Sequence, residues 1–336
     1  MIQLVRLIGI VTRVCPNKCK FRRRLLKRRI VNSMNCSMQK TAILIIWAMS
    51  FSFSGFAQEM EPRSYSVVPV GLHAAQLSYT FSGGDVVSGL NSPIQNLNIN
   101  ASVISLGYVQ TFSLFSKLAR IAVGMPYAFL NGSARVVGVD TAASRNGFGD
   151  GRIKFGINLL GSPVMAPKDF QRFQEYSVLG VSVAVSVPVG QYYSDKLINI
   201  GANRWGFKPE IGYSHRQGRL FYEGYAGVWF YTENDQFYNK STLSQKELLS
   251  FQAHMDYTFK HGKYLALNGG FASGGETALN GIDRFDDQEN WRIGVTFSTP
   301  VFDKHQSVKF LINTGVATRA GQNYTALTLA YQYNWF

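Results

Sequence analysis

Beyond residue 57 the chain contains no cysteine, because Cys15, Cys19 and Cys36 all lie upstream. That absence removes disulfides, a thiolate nucleophile and cysteine-ligated zinc from the body of the protein. Cys15 and Cys19 have three residues between them and no second ligand pair downstream, so they frame no zinc site either. Acidic residues are missing from the other side of the same boundary. Residues 1–57 hold 11 of the 34 Lys and Arg and none of the 20 Asp and Glu, which leaves 23 basic and 20 acidic residues beyond them. The formal net charge of +14 therefore falls to about +3 once the leader is set aside. The basic run at 18–29, KCKFRRRLLKRR, belongs to that leader and gives the body no electrostatic footprint for nucleic acid.

A hydrophobic stretch long enough for a transmembrane helix is also lacking. The apolar run at 41–56 falls short of the roughly 20 residues that span a bilayer as a helix, and it ends in Gly55-Phe56-Ala57, small at the two positions a signal peptidase inspects. Residues 1–57 therefore read as a signal peptide. Met38 is an ordinary start for it, and residues 1–37 are then an over-extended basic N-terminus, with an unusually long n-region as the alternative. No Gly-x-Ser-x-Gly elbow is present, and no catalytic residues are assigned.

What the body does contain is alternation. Ala75, Leu77, Tyr79 and Phe81 oppose Gln76, Ser78, Thr80 and Ser82; Ile153, Phe155, Ile157 and Leu159 oppose Arg152, Lys154, Gly156 and Asn158. Leu249, Phe251, Ala253, Met255, Tyr257 and Phe259 oppose Ser250, Gln252, His254, Asp256 and Thr258. Period two is a strand signal, and a helix would scatter these stripes round its circumference. The last stripe, Leu327, Leu329, Tyr331, Tyr333 and Trp335, becomes more aromatic towards the terminus, as a lipid-facing strand does at its girdle. Twelve such strands are countable between residues 74 and 336. About 11 residues at about 3.3 Å each, tilted about 40°, give roughly 28 Å, the height of a membrane band.

Long polar connections at 84–100, 131–148, 190–203, 233–246 and 275–289 take turns with short ones at 113–117, 216–219, 260–263 and 303–306. The expectation is an all-β, single-domain, transmembrane antiparallel β-barrel over 74–336, preceded by a lead-in or partial plug at 58–73. Two connections depart from the pattern: 161–176, with a helical turn expected at Pro167–Gln171, and a short final one at Arg319–Asn323. In the seventh strand Tyr222, Val228 and Phe230 are assigned outward because Glu223 must face the other way.

In a barrel of this kind the charged inward positions are the pore-lining candidates: Arg152, Lys154, Lys208, Glu210, Glu223, His254, Asp256 and Arg292, with Tyr225 and Trp229 as aromatic surface. The alternative is that these groups form salt-bridge ladders that fill a narrow bore. Arg152, Lys154 and Lys208 against Glu210, with Glu223 and Asp256 on adjoining strands, predict an electrically two-sided wall. His254, Asp256 and Ser250 share one strand face, which does not give the nested geometry of a triad. Asp283, Asp286, Asp287 and Glu289 lack the spacing of a calcium loop and read as solvated. No metal, cofactor or nucleic-acid partner is expected.

Four stretches carry a family resemblance: Arg63–Gly71 (RSYSVVPVG), Gly147–Arg152 (GFGDGR), Asn203–Glu210 (NRWGFKPE) and Tyr331–Trp335 (YQYNW). With them the chain, from about residue 61 to 336, resembles the outer-membrane barrels of the phenol-degradation MetA-pathway family, often labelled transporter. The resemblance implies a bacterial outer-membrane channel for small, hydrophobic or aromatic organic compounds, with outer-membrane lipid and the barrel-assembly machinery as partners. Tyr331, Tyr333, Trp335 and Phe336 look like the terminal sorting signal of such barrels, Phe336 overshooting the register by one. The rival readings are a non-conducting structural or adhesive barrel acting through its outer loops, and a barrel enzyme acting on lipid. N-terminal sequencing of the purified protein should place the mature terminus near Gln58; a mature terminus at Met1 would rule out export through a cleaved leader.

Overall fold

The computed structural model describes residues 60–336 apart from 88–93, 137–138, 171, 197 and 239. The leader assigned to 1–57 and the first two residues of the lead-in lie outside the described residues. The strands are β1 (His73–Val87), β2 (Ile94–Leu114), β3 (Lys117–Val136), β4 (Val139–Phe148), β5 (Gly151–Leu160), β6 (Ser177–Val187), β7 (Gly206–Gln217), β8 (Leu220–Tyr231), β9 (Asn234–Phe237), β10 (Ser241–Gln245), β11 (Leu248–Thr258), β12 (Tyr264–Gly274), β13 (Thr277–Leu279), β14 (Ile282–Asp283), β15 (Gln288–Val301), β16 (Asp303–Thr318) and β17 (Gly321–Trp335). A short helix, α1 (Pro167–Phe170), sits in the 161–176 connection, where the sequence predicts a helical turn.

β1 pairs with β17 on one side and β2 on the other, and β2–β3 pairing closes the sheet into an antiparallel barrel. β4 and β5 both pair with β3, β4 along Tyr127–Val136 and β5 along Ala119–Gly124, so they are two halves of one strand broken at Gly149-Asp150. Counting them as one gives the twelve strands the alternation predicts. Closure leaves no free edge through the membrane and satisfies the backbone polar groups between strands. Leu77, Ile104, Val123, Phe155, Ile211, Phe251, Leu267, Ile293, Phe310 and Leu329 stand exposed around the outer wall, a continuous apolar band. Tyr222 and Phe230 are also exposed while Glu223 is buried, the orientation expected for that strand. Tyr331 and Tyr333 face outward; Trp335 stacks on His73 at 5.5 Å where the first and last strands meet, and Phe336 lies exposed beyond the ladder.

The connections at the long-hairpin end differ from expectation. Most of 84–100 and 131–148 is strand, because β1–β4 continue past the apolar band as polar hairpins. Backbone pairing does not need an apolar side chain in water, so the ladder outlasts the hydrophobic period that marks it in the sequence. The 233–246 and 275–289 connections form a second, four-stranded sheet in the order β14-β13-β10-β9, with Phe237, Leu243 and Leu279 buried beneath it. Its acidic residues meet cations: Asp283 to Lys246 at 3.2 Å, Asp286 to Arg284 at 3.4 Å, and Asp287 and Glu289 to Arg319 at 2.8 and 3.9 Å. The final connection shrinks to Arg319-Ala320 between β16 and β17.

The break in the fourth strand is held from the side. β4 has β3 as its only ladder partner among the described residues, and the chain after β6 runs past the break. The buried Asp150 carboxylate accepts from the backbone N–H of Gly190 at 3.0 Å and of Ala202 at 2.8 Å, and the Gln191 N–H donates to the Phe148 carbonyl at 2.8 Å. Asp150→Ala should leave both N–H groups unpaired and lower stability by about 2–4 kcal/mol. Unfolding of the detergent-solubilised variant measures this, and a loss below 1 kcal/mol would show that water replaces the carboxylate.

Candidate functional site

The lead-in enters the barrel because its sequence will not make a strand. Pro62 and Pro69 lack the N–H a ladder needs, and Arg63 takes a left-handed conformation with φ 66°, closing a turn in which the Ser66 N–H donates to the Arg63 carbonyl at 3.2 Å. Its backbone groups must then find side chains, and the inner wall supplies them. The N–H of Glu61 donates to Gln252 at 3.2 Å, that of Arg63 to Glu223 at 2.7 Å, that of Ser64 to the Tyr225 hydroxyl at 3.2 Å, and that of Val67 to Glu175 at 3.1 Å. Carbonyls are served in the same way: Asn158 donates to Tyr65 at 2.9 Å and Arg120 to both Ser64 and Ser66.

Side-chain charge runs through the same segment in a complementary sense. Glu61 pairs with Lys154 at 3.3 Å, and Lys154 and Lys208 share Glu210 at 3.4 and 2.9 Å. Two residues on, Arg63 pairs with Asp256 at 3.1 Å, donates to Thr258 at 2.6 Å, and lies over the rings of Tyr264 and Phe221 at 4.0 and 4.7 Å. The lead-in thus gives an acid to the basic side of the wall and a base to the acidic side. The expected excess of three cations over one carboxylate falls to three over two, since Glu61 joins Glu210, and Arg63 offsets one of the two carboxylates opposite, so the two-sided field is about halved.

Tyr65 is the centre of the seat. Its hydroxyl donates to Glu210 at 3.1 Å and lies 2.9 Å from Ser182, and its ring meets Tyr225 edge-on at 5.1 Å. Gly180 and Gly212 face each other across β6 and β7, and a Cβ on either would stand 2.3 or 2.1 Å from the Tyr65 ring. Those two glycines are the slot. Below it Met165, Phe170 and Phe173 of the α1 connection pack on Tyr65, Val67, Val178 and Tyr225, and the Val70 N–H donates to the Met165 carbonyl at 3.0 Å. Burial there pushes the Glu175 carboxyl up from its ordinary value, and the Val67 N–H opposes the shift.

Of the inward residues singled out in the sequence, Lys154, Lys208, Glu210, Glu223, Tyr225 and Asp256 therefore surround the lead-in. His254 sits beside Tyr225, with Nδ1 2.8 Å from Asn268, which donates onward to Thr296 at 2.9 Å. It makes no hydrogen bond with Asp256 or Ser250, so the three form no relay. Trp229 and Arg152 lie nearer the long-hairpin end: the guanidinium is 5.5 Å above the indole, which stacks on Tyr231 at 5.8 Å in a cluster with Ala184, Leu248 and Ala272. Arg292 stands apart on β15. Among the described residues no three His, Cys, Asp or Glu side chains converge to hold a metal. Sequence reasoning missed Glu61, Arg63, Arg120, Asn158, Glu175, Gly180 and Gly212. Arg120 and Asn158 were findable, since each occupies an inward position in an alternating strand; the glycine pair needs the register.

Gly212→Ala should unseat Tyr65 and expose the lead-in to limited proteolysis while the barrel stays folded. Tyr65→Ala in that background should then add less than about 0.5 kcal/mol to the loss in stability, against about 3 kcal/mol in the parent, because the two changes empty one slot. Additive losses would mean that Tyr65 is held elsewhere.

The fold matches the crystal structure of the COG4313 outer membrane channel from Pseudomonas putida F1 with a TM-score of 0.70 at 20% identity, covering 82% of this chain and 100% of that one. The beta domain of the Bordetella autotransporter BrkA matches with a TM-score of 0.45 at 11% identity over 79% of this chain and 100% of that one. The CymD monoaromatic hydrocarbon channel matches with a TM-score of 0.41 at 7% identity over 80% of this chain and 89% of that one. No curated protein matches the chain. Residues 79–333, nearly the whole barrel, match the model of the family described as "Putative MetA-pathway of phenol degradation", and the chain belongs to that family.

Proposed function

We propose that the protein is a bacterial outer-membrane channel for small hydrophobic or aromatic organic compounds, with the lead-in as its internal stop. The observation that carries this reading is the apolar cluster of Trp229, Leu248, Ala184 and Ala272 on the inner wall, on the long-hairpin side of the lead-in. The cluster is buried inside the barrel, Trp229 being 2% exposed, and a passage for weakly polar solutes needs apolar surface of this kind with a few polar groups to orient the solute. The cluster lies on the long-hairpin side of the seat of Tyr65, so a solute entering from that end, extracellular in such barrels, has to part these side chains before it reaches the lead-in. From Glu61 to Val67 the lead-in is joined to its surroundings by side chains, and backbone bonds, between Val70 and Met165 and between Gly71 or Leu72 and Thr111 of β2, begin only at its end, which leaves the inner part separable without breaking the wall. The Pseudomonas putida F1 protein, a channel by its own description and alike over its whole length, supports the same reading.

Reconstitution tests it. Folded protein in liposomes should pass a neutral aromatic solute such as phenol, and Trp229→Ala should slow that flux several-fold. Removing residues 58–70 should raise ion conductance in planar bilayers. Absence of both solute flux and conductance in folded full-length and truncated protein would remove the channel reading and leave the loop-based one.

A further inference from the structure

One interior cation belongs neither to the lead-in seat nor to an ion pair. Arg292 is 2% exposed, and its Nη2 donates to the Asn313 side chain and to the Tyr324 carbonyl, while the Tyr324 ring lies 4.0 Å from Cζ. Its Nε and Nη1 have no acceptor, so three of its five N–H bonds are unspent. No carboxylate among the described residues pairs with it. A buried guanidinium left in this condition is costly, and buried polar groups normally find partners; a side chain whose own barrel supplies no anion is suited to one that arrives.

The surroundings define which anion. On the two strands flanking Arg292 the register partners are Gly270 and Gly315, and the next inward position on its own strand is Gly294. Met60 covers two of these glycines: its Cε lies 3.3 Å from where a Gly270 Cβ would stand, and its Sδ 3.2 Å from that of Gly294. Met60 is an unbranched, adaptable side chain at the start of the described lead-in, a cover that yields without rupture of the wall. One inward position further along β12 is Ala272, which belongs to the Trp229 cluster. The backbone position of the cation thus neighbours a movable thioether and an apolar wall, while the guanidinium itself reaches over β16 to Tyr324 of β17.

We propose that Arg292 binds the carboxylate of a small hydrophobic acid, its apolar part lying towards Ala272 and Trp229 and its arrival displacing Met60. The site rests on the channel reading and narrows the solute class to organic carboxylates. A guanidinium is the side chain that best matches a carboxylate by hydrogen bonding as well as charge.

The test uses the full-length protein in nanodiscs, with 4-phenylbutyrate and its uncharged counterpart 4-phenylbutanol as probes, empty nanodiscs as the blank and calorimetry as the readout. The carboxylate should bind at least tenfold more tightly than the alcohol. Arg292→Gln should abolish that preference, and Arg292→Lys should keep part of it. Asn313→Asp provides the control that keeps the guanidinium: a carboxylate fixed beside Nη2 should occupy the cation and also abolish the preference, in a barrel at least as heat-resistant as the parent. Equal binding of the two probes by the parent would overturn the proposal, and so would a preference that survives in Asn313→Asp or in folded Arg292→Gln. Liposome flux of 4-phenylbutanol, run in parallel, reads the channel function separately: flux without carboxylate preference removes this site alone, and preference without flux removes the channel reading alone.

Discussion

The charge complementarity between the lead-in and the inner wall is the constraint on which the rest of the interior depends. Asp256 has no exposed side-chain surface and Glu223 is buried two inward positions from the end of a neighbouring strand. Without Arg63, both carboxylates would stand in the lumen with no cation among their hydrogen-bond partners, and removing one member of a buried pair costs about 3–5 kcal/mol. On the opposite side Lys154 and Lys208 would share Glu210 alone. A segment that carries Glu61 and Arg63 two residues apart reconciles the two sides at once, and the turn at Pro62-Arg63 aims the two charges in different directions. The two ends of this bridge differ in strength. Glu61 is half-exposed and screened, whereas the Arg63 guanidinium is clasped between rings and hydrogen-bonded to Asp256 and Thr258, so the acidic side is the firmer anchor.

Shape enforces what charge selects. The barrel interior alternates strictly with the lipid face, so a residue's place in the lumen is fixed by its parity in the strand. Gly180 and Gly212 meet because β6 and β7 pair in that register and no other, and a slip of one residue between the strands would send one of the two glycines to the lipid and bring Tyr213 or Leu179 against Tyr65. The same parity puts Asn158, Ser182 and Glu210 round the Tyr65 ring and hydroxyl. Barrel register and lead-in seating are therefore one problem: an error in the first removes the second.

This division explains what the sequence discloses. Period two identifies the twelve spanning strands, and it orients Arg152, Lys154, Lys208, Glu210, Glu223, His254, Asp256 and Arg292 because a charge on the lipid face is so costly that parity follows from it. It says nothing of β1–β4 beyond the membrane, where water accepts either face and the apolar stripe that marks a strand is missing. It also cannot say what a lumen charge meets. Arg63 and Asp256 are 193 residues apart, Tyr65 and Glu210 145, and no local pattern connects positions so distant. The lead-in itself was legible as a segment too rich in proline to be a strand and too apolar at Tyr65, Val67, Val68 and Val70 to remain uncovered; its partners were not.

The alternatives of pore-lining charge and salt-bridge ladder both assume that the barrel wall alone decides the fate of its charges. The geometry replaces that choice with a division of labour. Lys154 of β5 and the charges of β7, β8 and β11 are committed to a peptide segment, Glu61 to Val67, that side chains and no backbone ladder hold to the wall. Their effect on a passing ion is then set by whether the lead-in is seated: a weak two-sided field when it is, about twice as strong when it is not. Arg292 stands outside this arrangement, because no carboxylate among the described residues pairs with it, and its charge is the same in both states. A solute that seeks a cation in the seated protein finds at Arg292 a buried guanidinium with three unspent N–H bonds, on a strand next to the one that carries Ala272 of the Trp229 cluster.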